Sequence, residues 1–439
     1  MNPDPSSSND TSGLNFVFRA LRHRNYRLFF LGQGISLIGT WMQQIALNWL
    51  VYRLTHSAFL LGVVGFTGRI PVFLLGSFAG VLADRWNRHR ILVVTQSLAA
   101  IQACILAILV LTGTIAVWHI IVLSIALGFI NALDVPTRQS FVVAMIEKRE
   151  DLGNAIALNS SMANGGRLLG PSVAGILIAL VGEGMCFLLN ALSFLAVIGA
   201  LLAMKINAKK PQGWNRNILH ELKEGFSYAF GFPPIRSLLL LLGLVSLMGM
   251  PFTVLMPIFA GKILEGGPST LGFLMGAMGT GALTGTLYLA SRKNVLGLGR
   301  IIAIASGLFG VGLIFFSFSR NFLLSLLLMI PTGFGLFVQM TSANTVLQTL
   351  VEDDKRGRVM SFHSMAIMGM TPFGSLLAGS LASQIGAPYT VMISGISCIL
   401  GSLMFAKKLP MLRLLVHPIY VEKGIIEGIP IRTEEDDLP

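Results

Sequence analysis

Long apolar runs follow one another along almost the whole chain, and each is closed by glycine, proline or charge. The hydrocarbon core of a bilayer is about 30 Å thick, which an α-helix of about 20 apolar residues can cross. The pattern therefore predicts twelve transmembrane helices, at 28–52, 58–83, 91–111, 115–133, 155–181, 185–204, 237–261, 271–290, 301–318, 322–345, 359–385 and 389–406.

The runs are continuous and do not alternate apolar with polar residues, as the strands of a membrane barrel would. Helices satisfy every backbone group within lipid, so the fold class predicted is an all-α membrane protein. Composition agrees, since the chain is 54% hydrophobic and only 12% charged, with a mean hydropathy of +0.74. The polar stretch Met1–Ser12 and the length of the first run argue against a cleavable signal peptide.

The second half of the chain repeats the first at an almost constant spacing. Gly128-Phe129 recurs as Gly333-Phe334, 205 positions later. This spacing equates runs five and six with runs eleven and twelve, which predicts two pseudo-symmetric six-helix halves. Seven further residues recur as the same type 204 positions later: Gly153, Ser160, Gly170, Ala174, Gly175, Gly182 and Ser193.

The predicted domain organisation follows from this repeat. The longest loop contains Ile218, Leu219, Leu222 and Phe226 at helical spacing, which indicates a short amphipathic helix on the membrane surface. The predicted parts are an N-terminal tail (1–27), a first bundle (28–204), a linker with the amphipathic helix (205–236), a second bundle (237–408) and a C-terminal tail (409–439).

Basic residues are distributed unevenly between the loops. The two tails and every second loop hold 27 lysine and arginine residues, whereas the alternate loops hold only Arg53, Lys262 and Arg320. By the positive-inside rule both termini are expected in the cytoplasm, with the chain in the cytoplasmic (inner) membrane. The net charge of +12 therefore indicates topology and contact with the lipid bilayer, and no nucleic-acid partner is expected.

The turn between the second and third helices has an unusual density of charge. Its pattern G-x-x-x-D-R-x-x-R-x-R resembles the signature loop of the major facilitator superfamily. In that family the carboxylate and the arginines latch the two halves on the cytoplasmic side, so the resemblance implies a gating role. Asn87 stands where the family usually has glycine, and asparagine tolerates a left-handed backbone. The matching positions are Gly80, Asp84, Arg85, Arg88 and Arg90.

A second motif lies in the fifth helix. Gly166-Arg-Leu-Leu-Gly-Pro-Ser-Val-Ala-Gly175 resembles the antiporter motif of that family, with Ala174 in place of one glycine. Gly166 and Gly170 form a small-residue face for close helix packing, and Pro171 permits a bend; packing without a mechanistic role is the alternative. Gly166, Gly170, Pro171 and Gly175 are the gating residues expected here.

Three further stretches resemble the branch that contains enterobactin exporters and related secretion or macrolide-efflux proteins. This resemblance implies export from the cytoplasm driven by a proton gradient. The stretches are Trp41-Met-Gln-Gln-Ile-Ala, Asp134-Val-Pro-Thr-Arg-Gln-Ser-Phe and Cys186-Phe-Leu-Leu-Asn-Ala-Leu-Ser-Phe.

Polar residues on the first helix are the first candidates for substrate contact. Gln33, Thr40, Gln44 and Asn48 fall within a narrow arc at 100° per residue, so one polar stripe should face away from lipid. Hydrogen bonding between helices without a ligand is an equal alternative.

Two arginines lie about 16 to 18 Å along their helices, near the bilayer midplane. A buried charge there costs at least about 2.5 kcal/mol, so Arg69 and Arg167 should face a cavity or a partner. No acidic residue is expected at comparable depth. The arginines predict an electropositive cavity for anionic or acceptor-rich substrates; binding to backbone carbonyls, or to amides such as Asn159 and Asn164, is the alternative.

Asp134, near the predicted cytoplasmic end of the fourth helix, is the best candidate for proton coupling. The alternative is a structural ion pair with Arg138 or the signature-loop arginines, although Pro136 lies between Asp134 and Arg138. His363 could titrate, but its place at a helix end is more typical of a packing or surface residue.

Enzymatic function is not indicated, because the chain has no phosphate-binding loop, H-E-x-x-H or G-x-S-x-G motif. Cys104, Cys186 and Cys398 lie in apolar runs without metal-ligand spacing, so neither a metal nor a cofactor is expected. The sequence predicts a monomeric, proton-coupled exporter of a siderophore-like or drug-like small molecule, working by alternating access. A lipid flippase or a non-transporting receptor on the same fold is the alternative.

Overall fold

The protein is described here by a computed structural model, which covers residues 18–76, 86–146, 148–205, 226–292 and 294–426. All regular structure in these ranges is helical. The long helices are α1 (Arg24–Thr55), α2 (Ala58–Gly76), α3 (Arg88–Leu111), α4 (Val117–Ala144), α5 (Leu152–Val181), α6 (Glu183–Leu202), α7 (Pro233–Ile263), α8 (Pro268–Ala290), α9 (Leu298–Phe318), α10 (Phe322–Leu350), α11 (Lys355–Ile385) and α12 (Ala387–Glu422).

Eleven of these helices, α2 to α12, are long and apolar enough to cross a membrane. With 32 residues α1 is also long enough, but its glutamines and Asn48 lower its hydropathy. The large apolar side chains on the outside of the helices, such as Leu180 at 75% exposure, suit a lipid environment. The all-α, multi-pass fold predicted from the apolar runs is therefore confirmed.

Two compact units divide the chain. The first comprises Met1–Ser57, Thr67–Trp214 and Ala260–Gly276, and the second comprises Ala58–Phe66, Asn215–Phe259 and Ala277–Pro439. The start of α2 therefore belongs to the second unit, and the end of α7 with the start of α8 belongs to the first. The domain boundaries predicted from the sequence stay a prediction.

Glycines related by the 204-residue repeat make equivalent contacts. In the first unit, a Cβ built on Gly175 would lie 2.8 Å from the Cα of Gly272 on α8. In the second unit, a Cβ built on Gly379 would lie 2.7 Å from the Cα of Gly62 on α2. In each unit one helix backbone thus touches another directly, because neither residue has a side chain to separate them.

The fourth helix is longer than its apolar run predicts. It continues from Val117 to Ala144 with Pro136 inside it, whereas the sequence suggested an end at 133. Asp134 is therefore ten residues, or about 15 Å, from the end of α4 and not near it. The expectation that no acidic residue lies at the depth of the arginines was wrong, because a proline within a membrane helix need not end it.

The described parts of both predicted tails make specific contacts or continue a helix. Before α1, Arg19 forms an ion pair with Asp151 at 3.3 Å, and the His23 ring lies 2.9 Å from the same carboxylate. The boundary predicted at 408 falls inside α12, which contains Pro410 and Pro418. The Lys423 ammonium donates to the carbonyl oxygen of Thr349 at 2.8 Å, which ties the end of α12 to α10.

Most of the predicted amphipathic linker helix, including Ile218, Leu219 and Leu222, lies outside the described residues. Phe226 begins the described part of this region, and its ring stacks on Phe230 with 4.5 Å between centroids.

Candidate functional site

The polar stripe predicted on α1 is only partly present. Gln44 donates to Asn48 at 3.4 Å, and both side chains are partly accessible, while Thr40 is exposed and donates to the Ser36 carbonyl. Gln33, by contrast, is 3% exposed, and its Oε1 has no hydrogen-bond partner among the described residues. Thr40, Gln44 and Asn48 thus form an accessible polar face, which does not include Gln33.

A neighbouring glutamine that the sequence did not single out joins four helices. Gln43 donates to Oε1 of Gln102 on α3 at 3.0 Å and accepts from Asn190 on α6 at 2.7 Å. Gln102 in turn donates to the carbonyl of Leu123 on α4 at 3.2 Å. The two adjacent glutamines therefore have different roles. The buried amide of Gln43 stabilises the bundle, and the amide of Gln44 remains accessible.

Arg167 lies at the midpoint of α5, sixteenth of its 30 residues. Its guanidinium carbon is 5.3 Å from the centroid of the Trp41 ring on α1, within the range of a cation–π interaction. Gly170, one turn later, has the Cβ of Trp41 and the carbonyl of Ile38 against it. The close α1–α5 packing that the glycine permits therefore brings the cation to the aromatic ring beside the polar face of α1.

Arg69 is the twelfth residue of α2 and is partly buried. No hydrogen bond or ion pair of its guanidinium occurs with the residues that the structure describes. Amide partners such as Asn159 and Asn164 are therefore not observed. The Arg69 side chain is therefore held near the middle of a membrane helix without an observed partner in the described residues.

Asp134 is 4% exposed and lies between α3 and α4. Its Oδ1 accepts from the Gln96 amide at 2.7 Å and from the Thr95 hydroxyl at 3.0 Å, and its Oδ2 is 3.5 Å from Nε of Arg138. The ion pair with Arg138 forms even though Pro136 lies between the two residues. The structure thus gives this carboxylate three donors.

Gly80, Asp84 and Arg85 of the signature loop lie outside the described residues. Asn87 has an extended backbone, with φ −68° and ψ 106°, and does not adopt the left-handed conformation that asparagine tolerates. Its side chain instead accepts from the backbone N–H groups of His89 and Arg90, at 3.0 and 3.2 Å, and begins α3 as an N-cap. The change from glycine to asparagine therefore gives the third helix a defined start.

The glycine face predicted on α5 packs against neighbouring helices, and its gating role stays a prediction. Gly166 contacts Leu37 and Gly170 contacts Trp41, both on α1. Gly175 contacts α8, as described above. Pro171 lies inside the helix, and its carbonyl oxygen would be 2.6 Å from a Cβ on Gly272.

His363 is buried within α11, at 8% exposure, and its Nε2 has no partner in the described chain. Of the packing and surface positions considered for it, the structure shows the buried packing position. Cys186 and Cys398 are buried, and Cys104 is partly buried, as expected for packing residues.

Comparison with known proteins shows which family and which relatives the chain is similar to. Residues 16–415 match the family model described as transmembrane secretion effector. Among curated proteins, the chain is 29% identical over 383 residues to the staphyloferrin A transporter of Staphylococcus aureus, with 86% of this chain and 95% of that protein covered. It is 25% identical over 379 residues to an enterobactin exporter of Shigella boydii, with 85% and 89% covered.

A solved structure of similar fold is that of a bacterial homologue of the human lysosomal transporter Spinster, with a TM-score of 0.67 and 13% identity. The matched region covers 94% of this chain and 99% of the chain in that structure. The family match over most of the chain, the similar relatives and this fold agree with the resemblance seen in the motifs. The chain therefore belongs to the transmembrane secretion effector family of the major facilitator superfamily, and it is a membrane transporter and not an enzyme.

Proposed function

We propose that this transporter exports a small anionic or acceptor-rich molecule from the cytoplasm across the inner membrane, with both termini in the cytoplasm. Residues 28–204 and 237–408 act as the two bodies that move in alternating access, and the turn containing Gly80, Asp84, Arg85, Arg88 and Arg90 forms part of the cytoplasmic gate. The protein works as a monomer and exchanges its substrate for protons.

The observation that carries the substrate class is Arg69. Its side chain is partly accessible near the middle of α2 and has no ion-pair partner among the described residues. A charge in this position is costly unless a ligand or water compensates it. An anionic substrate supplies that compensation.

Arg167 and the accessible face of α1 extend the same chemistry. The Trp41 ring holds the guanidinium of Arg167 at a fixed place, and Thr40, Gln44 and Asn48 offer donors and acceptors on the neighbouring helix. The relatives named for staphyloferrin A and enterobactin make siderophores the first substrates to test.

Proton exchange is supported by the environment of Asp134. It is buried inside α4, and the Thr95 hydroxyl beside it can act as donor or acceptor. A carboxyl group in such a place can gain and lose a proton without losing its hydrogen bond to Thr95.

The test is accumulation of a panel of anionic siderophores and neutral lipophilic drugs in an efflux-deficient bacterium that expresses the protein. The variants are Arg69→Gln, Arg167→Gln and their combination, each with and without a protonophore. Arg27→Gln is the matched control, because Arg27 is exposed in the first turn of α1.

We expect cells with the wild-type protein to accumulate less of an anionic compound than cells without it. The protonophore should abolish this export. The double variant should reduce the export about tenfold or more, whereas Arg27→Gln should leave it unchanged. Full anion export by the double variant would refute the electropositive site. Export that the protonophore leaves unchanged would refute proton coupling. No export of any compound would favour a lipid substrate or a receptor role.

A further inference from the structure

An apolar groove of about 590 Å³ runs between α3 and α4 on the surface of the first unit. Its walls are formed by side chains that include Ile91, Val94 and Leu98 on α3 and Phe129 and Leu133 on α4. The volume lies within the range of about 300–1,000 Å³ typical of small-molecule sites. Val94, Leu98 and Phe129 are 56%, 47% and 50% exposed, so the groove opens outward and not into the bundle.

A cation stands at one end of this groove. Arg90, Val94 and Leu98 follow at intervals of four, which places them along one face of α3. Arg90 is exposed, and its guanidinium makes no hydrogen bond or ion pair within the part of the chain that the structure describes. The nearby carboxylate of Asp134 is already engaged by Thr95, Gln96 and Arg138, so it does not supply a counter-charge at the groove mouth.

The mouth of the groove also has the composition of a membrane interface. Trp86, just before α3, lines it and is 60% exposed, and Asn87 caps the helix beside it. Amphipathic aromatic rings and basic side chains concentrate at the level of lipid headgroups. The third residue of a membrane-spanning helix lies at that level.

The length of the groove matches one leaflet. From Arg90 to Leu98 the helix rises about 12 Å, close to half of the roughly 30 Å hydrocarbon core. The lining residues on α4 lie in the middle of that helix, where the groove ends. A phosphate group on Arg90 would therefore be followed by an acyl chain along Val94 and Leu98.

We propose that this groove is a binding site for one anionic phospholipid, whose phosphate pairs with Arg90 and whose acyl chain fills the space between α3 and α4. The positive charge of Arg90 favours an anionic headgroup, because Arg90 lies at the mouth of the groove and its charge is uncompensated among the described residues. The open apolar walls select a bilayer lipid over a soluble anion, since a soluble anion makes no use of them.

The site is tested on the full chain in vesicles of phosphatidylglycerol and phosphatidylcholine with identical acyl chains. The lipids that stay bound after extraction are counted by native mass spectrometry. Arg90→Gln removes the charge, Val94→Trp fills the groove, and Arg27→Gln removes an exposed arginine of α1 that does not line this groove. Helix content and thermal unfolding confirm that each variant is folded; if Val94→Trp is not, Val94→Phe replaces it.

We expect the wild type to retain phosphatidylglycerol in preference to phosphatidylcholine. Arg90→Gln should reduce that preference about fivefold, while Arg27→Gln leaves it unchanged and Val94→Trp lowers retention of both lipids. Equal retention of both lipids by the wild type would overturn the proposal, as would equal losses in the two arginine variants. Displacement of the lipid by millimolar inorganic phosphate would show a soluble-anion site instead.

Discussion

The hydroxyl of Thr95 lies 3.0 Å from Oδ1 of Asp134 and 3.1 Å from the carbonyl oxygen of Leu92 in the preceding turn. A hydroxyl carries one proton, so it can donate to only one of these oxygens at a time. An ionised Asp134 accepts from Thr95, whereas a protonated Asp134 can donate to Thr95 while the hydroxyl turns to Leu92. Both protonation states of the carboxyl group are therefore hydrogen-bonded.

Thr95→Val should lower the rate of proton-coupled transport. The substitution removes one of the three donors to the buried carboxylate of Asp134, and a hydrogen bond to a charged group contributes about 1.5–3 kcal/mol. Transport into proteoliposomes measures the loss, with Thr95→Ser as the control that retains the hydroxyl. Equal rates for valine and serine would remove Thr95 from the coupling mechanism.

Gly175→Ala should destabilise the protein by about 1–3 kcal/mol. The new Cβ would lie 2.8 Å from the carbonyl oxygen of Pro268 and equally close to the Cα of Gly272, and backbone atoms cannot move aside easily. Gly165→Ala on the same helix is the matched control, because no described residue lies within 4 Å of its added methyl group. Thermal unfolding in detergent separates the two. Equal unfolding temperatures would mean that the α5–α8 contact contributes little to stability.

Gln43→Leu should lower stability more than Gln44→Leu. The first substitution leaves the amides of Gln102 and Asn190 without their partner, at a cost of about 0.6–1.7 kcal/mol in a membrane protein. The second removes only a 3.4 Å contact with Asn48 within α1. Gln44→Leu should weaken substrate binding more than Gln43→Leu does, since only Gln44 is on the accessible face. The prediction fails if one variant has the larger effect on both unfolding temperature and affinity.

The ion pair between Arg53 and Glu183 should respond asymmetrically to mutation. Nε of Arg53 lies 2.8 Å from Oε1 of Glu183, but the arginine side chain is 50% exposed and the glutamate side chain only 7%. Arg53→Ala should cost about 1.5–3 kcal/mol because it leaves a buried charge unpaired, whereas Glu183→Gln leaves an arginine that water can solvate. Thermal unfolding at pH 7 measures both losses, and equal losses for the two variants would contradict the argument.

The helices and the family could be predicted because both leave local signals in the sequence. Hydrophobic length marks a membrane helix, and the charges of the signature loop stand out in a chain with few charges. Helix ends were less accurate where proline was involved. The end of α4 predicted at 133 comes just before Asp134 and Pro136, but the helix continues to Ala144, because Pro136 removes only one backbone donor from it.

The candidate site could be predicted only in part, because spacing on one helix does not identify the neighbouring helix. An arc of polar residues grouped Gln33 with Gln44, yet Gln33 packs inside the protein. The Gln43 network needed the positions of Gln102 and Asn190, which are 59 and 147 residues away along the chain. Similarly, Trp41 gave no local sign that it would hold Arg167.

The paired glycines, Gly175 against Gly272 and Gly62 against Gly379, have a consequence for motion. A surface made only of backbone has no side-chain torsions to reorganise, so helices that part and meet there undergo no change of rotamer. Only short-range dispersion forces are lost when such a contact opens, and nothing interlocks to resist sliding. The helices can therefore slide and pivot against each other at these glycine pairs without repacking side chains.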